Sequence, residues 1–252
     1  MSRIGIVSAL HEELAEVLSL LPDARLEAVA GREFRLGHWH GHELVAVLSR
    51  IGKVAAATTA TVLIERFGVE QIIFTGTAGG LAGGVAVGDV VVADSFLQHD
   101  IDASPLFPRH EVPLYGRARF PADPALSVAL TRAAQTVLED ATSTLGAEVV
   151  REFGLERAGV HTGLVVSGDR FVATAAESAS LRAQLPEALA VEMEGAAVAQ
   201  VCLDYGVPFA ALRTISDRAD DMAHVDFTRF ARRVASRYSV TVLARCLQLL
   251  DT

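Results

Sequence analysis

Three short segments of this 252-residue chain place carboxylates where they could do chemistry. Glu12 and Glu13 stand together soon after the apolar run at residues 4–7. Glu192, Met193 and Glu194 lie between Ala190-Val191 and an Ala-rich stretch. Arg213, Ser216 and Asp217 end an otherwise apolar run at 209–217. Carboxylates in different environments can divide acid–base work, one giving a proton while another takes one. Each segment also has a simpler use. Adjacent acids suit the first turn of a helix, and Ser or Asp caps one well. Two acids flanking a methionine in apolar surroundings are costly unless paired or used, which tilts 192–194 toward a site.

Two further segments have the composition of a ligand wall. Gly76-Thr77-Ala78-Gly79-Gly80 would let backbone groups approach a flat ligand closely, or simply make a tight turn. It is not a phosphate loop, because no Gly-Lys-Ser/Thr follows, and its glycine spacing does not fit a dinucleotide fingerprint. Ser167-Gly168-Asp169-Arg170-Phe171-Val172 carries a phenylalanine that could stack on a base or fill the core. His38, His40 and His42 alternate, but no Cys, Asp or Glu completes a metal set. No Gly-x-Ser-x-Gly elbow is present. No segment gives a metal signature.

These segments follow apolar runs that read as strands. Residues 4–7, 34–39, 44–48, 72–75, 87–94, 160–166 and 209–215 have strand character. His40-Gly41-His42 reads as a turn. Helical patterns cover 12–21, ending at Pro22, then 53–67 with a stop at Gly68, 123–145 capped by Asp123, 175–184 and 194–205. A long amphipathic helix is expected from Phe227 onward, with Phe230, Ala231, Val234, Tyr238 and Val242 on one face. Residues 98–122 hold four prolines and no clean period, so they read as a long loop of the kind that is usually functional, and the twelve residues from Arg218 also look like loop. Strands and helices alternate over 1–252 without a linker or repeat. The expectation is one α/β domain with a central sheet covered on both faces by helices. Ligands in such folds bind at the carboxyl ends of strands.

Composition bounds the partner. About half the residues are hydrophobic and the net charge is −9, which disfavours nucleic acid and leaves room for a small ligand. Cys202 and Cys246 fit no metal or redox spacing and point to a reducing compartment. The run at 4–7 is too short for a signal peptide, and no stretch is long enough to cross a bilayer. A cytoplasmic protein without membrane attachment is expected.

Taken in order, the segments resemble the nucleoside phosphorylase and nucleosidase superfamily, and within it the 5′-methylthioadenosine/S-adenosylhomocysteine nucleosidases. The resemblance runs over nearly the full chain. It rests on Glu12-Glu13, Ile51-Gly52-Lys53-Val54-Ala55-Ala56-Ala57, Thr75-Gly76-Thr77-Ala78-Gly79-Gly80-Leu81, Val87-Gly88-Asp89, Val166-Ser167-Gly168-Asp169, Val191-Glu192-Met193-Glu194 and Arg213-Thr214-Ile215-Ser216-Asp217. It implies a nucleoside phosphorylase-like fold, with a central mixed, twisted, partly barrel-like sheet flanked by helices, and hydrolysis of the N-ribosidic bond of an adenine nucleoside without a metal or organic cofactor. Asp217 matches the acid that protonates N7 of adenine, a role that needs a raised pKa. Glu13 matches the carboxylate that activates water, and Glu194 the one that holds the ribose hydroxyls. Arg213 and Thr77 match positions that order the water and its carboxylate neighbours. Phe171 and Val172 match the base-binding segment, with Ala78 and Gly79 on the other side of the base. Leu10, Ile51 and Phe227 match positions around the ribose and its 5′ substituent. Glu192, Met193 and Ser216 fall within the same matched segments and are counted with the substrate-binding residues. A homodimer is also implied, in which the 98–121 region of a neighbouring subunit helps close the 5′ pocket.

The pattern departs from the family in places. Leu10 stands where Met is frequent and Thr77 where Ser is frequent. Arg50 stands where Gly is common and would bring charge toward the water site. The loop from 98 to 121 differs most, so the 5′ substituent is the least determined feature; an aminodeoxyfutalosine nucleosidase would share every catalytic residue. A phosphorylase would need a phosphate loop where Glu12 and Glu13 stand, and those acids repel phosphate. A non-catalytic nucleoside-binding protein of the same fold is the other alternative, and the full acid set argues against it.

Overall fold

The computed structural model describes residues 2–21, 24–219 and 227–250. The expected helix stop at Pro22 and most of the loop expected from 218 onward lie outside them. The strands are β1 (Arg3–Ser8), β2 (Arg25–Val29), β3 (Arg32–Trp39), β4 (His42–Leu48), β5 (Gln71–Gly80), β6 (Val90–Gln98), β7 (Arg119–Pro121), β8 (Val160–Ser167), β9 (Ala188–Glu192) and β10 (Phe209–Asp217). All belong to one mixed sheet of order β10-β6-β8-β9-β5-β1-β4-β3-β2, with β7 on β6. A further pairing of β10 with β5 closes β10, β6, β8, β9 and β5 into a five-stranded barrel. The expected mixed, partly barrel-like sheet flanked by helices is what forms.

The helices are α1 (His11–Ser19), α2 (Lys53–Phe67), α3 (Pro124–Glu139), α4 (Ala141–Leu145), α5 (Ala147–Phe153), α6 (Ala175–Gln184), α7 (Gly195–Tyr205), α8 (Phe227–Phe230) and α9 (Ser236–Leu250). A π turn at Ala231–Ala235 joins the last two. Helices α1, α3 and α9 cover one face of the sheet, with Leu14, Val17, Leu130, Tyr238 and Val242 in that core. Helices α2 and α7 cover the other, with Ala60, Leu63, Val198 and Cys202 packed against Phe74 and Phe96. Strands covered on both faces need apolar side chains at nearly every position. Strands β5 and β10 are almost wholly buried and meet that condition only in their first halves, at Ile72–Phe74 and Phe209–Leu212; polar residues gather toward their carboxyl ends. Among the described residues, no helix is long and apolar enough to cross a membrane.

Several boundaries move for local reasons. The helix expected over 123–145 breaks after Glu139, because Asp140 turns out of helical geometry and its side chain caps Ser143 N–H at 3.2 Å. Asp123 caps α3 through Leu126 N–H, with Pro124 in the first turn. The sequence reading misses β2, β7, β9 and α5. Strand β2 is an exposed edge with charges among its apolar residues, and β9 is short, with two alanines, which favour strands weakly, among its five residues. The glycine segment at 76–80 is neither turn nor loop but the second half of β5. There Gly79 and Gly80 pair antiparallel with Val191 and Ala190.

That pairing sets the site. Strands β1, β4, β5 and β10 are mutually parallel, and β6, β8 and β9 form a second parallel group. The two groups meet antiparallel where β5 and β9 cross at their carboxyl ends. The segments leaving both groups therefore converge on one corner of the barrel.

Candidate active site

Glu13 sits in the first turn of α1, and its two carboxylate oxygens have different duties. Oε2 accepts the Leu10 N–H at 3.1 Å, as a helix-start acid does. Oε1 crosses to β5 and accepts the Thr77 N–H at 2.9 Å and the Thr77 hydroxyl at 2.8 Å. Gly76 leaves room for the crossing, since a Cβ there would lie 3.1 Å from the carboxylate and press on it. Burial pushes the Glu13 pKa up against the opposing pull of the Thr77 hydrogen bonds, the Arg213 charge and the Leu10 N–H.

Glu192 ends β9, and its carboxylate is spent on the protein. It accepts the N–H groups of Glu194 and Gly195, the Ser167 hydroxyl and the Arg213 guanidinium at 2.8 Å. Arg213 is almost fully buried. It also donates to the carbonyls of Phe74 and Leu212 and lies 4.2 Å from the centroid of the Phe74 ring. Its direct carboxylate partner is thus Glu192, and it acts on Glu13 and Glu194 through its field.

Glu194 follows as the residue that starts α7. Its Oε1 accepts the Gly52 N–H at 2.8 Å. Burial first, then the charge of Glu192, push its pKa up to about 8, with the Gly52 N–H and Arg213 pulling the other way. Asp217 ends β10. Its Oδ2 accepts the Ser216 hydroxyl at 2.7 Å and its Oδ1 the Ala219 N–H at 2.7 Å. Gly79 lies close under this group, since a Cβ there would be 3.1 Å from Asp217 Oδ1.

One cavity of about 170 Å³ gathers these groups. Leu10, Glu13, Ile51, Thr77, Ala78, Gly79, Phe171, Val172, Glu192, Met193, Glu194, Ser216, Asp217 and Phe227 line it; Arg213 stands behind the wall. Phe171 is about half exposed at 49 %, whereas Val172 is buried. Ala9, Arg170 and Val191 also line the cavity. Sequence reasoning does not single them out, and only their adjacency to Leu10, Phe171 and Glu192 could have flagged them. A larger cavity of about 350 Å³ lies among Arg3, Leu21, Leu36, His38 and Glu43. Its charges are half-exposed and Arg3 pairs with Glu43, so it lacks the buried acids that make the smaller cavity reactive.

The chain matches the phosphorylase superfamily over residues 3–248. It is 34 % identical over 247 residues to a 5′-methylthioadenosine/S-adenosylhomocysteine nucleosidase of Shewanella denitrificans, covering 98 % of this chain and all of that one. The chain belongs to this nucleosidase family. The Neisseria meningitidis nucleosidase, solved with methylthio-immucillin-A, superposes with a TM-score of 0.86 at 32 % identity, covering 99 % of this chain and 100 % of that one. The Colwellia psychrerythraea nucleosidase, solved with adenine, gives 0.85 at 32 % identity over 98 % and 94 % of the two chains.

Set among these nucleosidases, the unusual residues of this chain find places. Arg50 adopts a left-handed backbone at φ 68° and donates to the Gly31 carbonyl at the β2–β3 turn, rather than lining the cavity. Thr77 keeps a hydroxyl on Glu13. The alternating histidines do not converge: His42 Nε2 lies 3.1 Å from the Leu247 carbonyl oxygen, while His38 faces Glu43. Among the described residues, no group of three or more His, Cys, Asp or Glu is arranged to hold a metal.

Proposed function

We propose that this chain hydrolyses the N-ribosidic bond of 5′-methylthioadenosine and S-adenosylhomocysteine, and of 5′-deoxyadenosine, releasing adenine and a 5-substituted ribose in methionine salvage. The observation that carries this reading is the convergence of Glu13, Glu194 and Asp217 on one cavity, with Arg213 already engaged by Glu192. Adenine leaves poorly as an anion. Asp217, held by Ser216 and Ala219, gives its proton to N7 as the N9–C1′ bond breaks. The sugar gains oxocarbenium character. The ribose hydroxyls donate to Glu194, which favours its ionised form, its proton passing to solvent, and lets it offset the developing positive charge. Glu13, made more basic by burial, takes a proton from the water that adds to C1′. The proton lost by Asp217 is matched by the one gained at Glu13, and solvent resets both. Phe171 and Val172 bind the base against Ala78 and Gly79, and Leu10, Ile51, Met193 and Phe227 surround the sugar and its 5′ group. No cofactor enters these steps.

The test scores free base from methylthioadenosine, S-adenosylhomocysteine, 5′-deoxyadenosine, aminodeoxyfutalosine, adenosine and inosine. Release of adenine from the first three is expected. Preference for aminodeoxyfutalosine would move the physiological substrate while leaving the chemistry. Replacing Asp217 by Asn should lower kcat by about 10²–10⁴ while retaining nucleoside binding. Binding without turnover in the unaltered protein would overturn the enzyme reading.

A cytoplasmic homodimer is part of the same proposal. Its support is apolar: Val54 on α2 and Leu106 and Leu114 in the long loop are exposed by 79 %, 85 % and 90 %. Sedimentation of the unaltered protein and of a Leu106→Glu/Leu114→Glu variant tests it, with the variant expected to run as a monomer.

A further inference from the structure

Three segments around the cavity are tied in a ring by groups that do not line it. The Lys53 N–H donates to Asp169 Oδ1 at 2.7 Å. The Asp169 N–H donates to Asp100 Oδ2 at 2.8 Å. Asp100 Oδ1 accepts the Lys53 ammonium at 2.6 Å, and that ammonium also donates to Gln98 Oε1 at 3.0 Å. The ring thus joins the start of α2, the chain leaving β6 and the chain leaving β8. A lysine on an exposed helix end ordinarily extends into water. Here its side chain is only 17 % exposed. Burial works to raise the Asp100 pKa, but the Lys53 and Asp169 hydrogen bonds and the Lys53 charge outweigh it and hold it below the usual value.

The residue between the ring and the cavity is Gly52. Its N–H is the one that Glu194 accepts, and the next N–H in the chain is the one that Asp169 accepts. Gly52 has φ 96°, and a Cβ there would lie 3.0 Å from Asp169 Oδ1. Helix α2 has no side-chain cap of its own. Two carboxylates from other segments receive consecutive N–H groups at its start, and one of the two is Glu194. A shift of α2 relative to 169 would therefore move the donor that aims Glu194.

We infer that Lys53, Asp100 and Asp169 are positioning residues whose ring holds the Gly52 N–H on Glu194 and so sets the grip on the ribose. This rests on the proposal that Glu194 binds the ribose hydroxyls. The base lies between the 78–79 stretch of β5, which the ring does not touch, and Phe171-Val172, which the ring reaches only through the backbone two residues beyond Asp169. Loss of the ring weakens ligands that carry a ribose more than it weakens free adenine, because the direct hydrogen bond it holds is the one to Glu194.

The test measures Kd by calorimetry for adenine and for a 7-deaza analogue of methylthioadenosine, which lacks the N7 proton acceptor and reports binding without turnover. The full-length protein is compared with Lys53→Met, Asp100→Asn and Lys53→Arg. The analogue should bind about tenfold more weakly to the first two variants, adenine about twofold or less, and Lys53→Arg should recover most of the loss. Should Lys53→Met fail to fold, Asp100→Asn carries the same comparison. Equal weakening of both ligands, or no weakening of the analogue, overturns the inference. An unaltered protein that grips the analogue but releases no adenine from any nucleoside would refute the hydrolase proposal and still score the ring.

Discussion

At the scale of residues, three buried carboxylates share one guanidinium. Arg213 pairs with Glu192, so Glu194 meets both burial and a like charge, and its pKa rises to about 8. That shift has a consequence for stability. The folded protein keeps the Glu194 proton to higher pH than the unfolded chain, whose reference value is 4.5. The stability this gives is full below the unfolded value and is lost as pH rises through about 8. Replacing Glu194 by Gln keeps an oxygen for the Gly52 N–H but removes the titration. The variant should lose less Tm than the unaltered protein between about pH 6 and about pH 9, and thermal melts across that range read the difference. Parallel Tm curves would mean that Glu194 titrates normally. The same substitution removes the charge proposed to offset the oxocarbenium, so kcat should fall by about 10² or more.

Secondary-structure elements explain which parts were legible in the sequence and which were not. Helix α2 could be read to the residue, because an Ala-rich run ends at Gly68 with φ 61°. Glu13 was ambiguous between helix-start acid and site acid, and its two oxygens serve each side. The route of β5 was not legible. Its glycines look like a turn until the β9 crossing is known, and that contact lies far away in sequence. Likewise nothing in the Glu192 segment announces that its acid will be consumed by α7 and Arg213. Val87-Gly88-Asp89, which helped carry the resemblance, does not line the cavity. Asp89 is buried and accepts the N–H groups of Ala86 and Gly159, and its Oδ2 lies 2.8 Å from His161 Nε2. It staples the start of β6 to the start of β8. Asp89→Ala should cost about 3 kcal/mol of folding stability, measured by denaturant unfolding, while the Kd for adenine stays unchanged in the folded fraction. A loss of adenine affinity at unaltered stability would put Asp89 in the site instead.

Over the whole molecule, charge decides between water and phosphate as the nucleophile. The chain carries a net charge of −9, and its candidate cavity concentrates that sign. Glu13 and Glu192 are buried there, and the one arginine buried among the described residues is satisfied by Glu192. A phosphate dianion entering beside Glu13 would meet like charge at low dielectric with no free buried cation among the described residues to receive it. Water meets no such barrier and finds a basic carboxylate. Adenine release from methylthioadenosine should therefore proceed at the same rate in phosphate-free buffer and in phosphate buffer of equal ionic strength. The sugar product should be the free 5-methylthioribose rather than its 1-phosphate. Matching ionic strength matters, because screening alone changes the approach of any charged ligand to an acidic surface. A rate that rises with phosphate and a phosphorylated sugar would make the chain a phosphorylase. That result would require a cation from outside the described residues, or from a second copy of the chain, to reach the water side of the cavity.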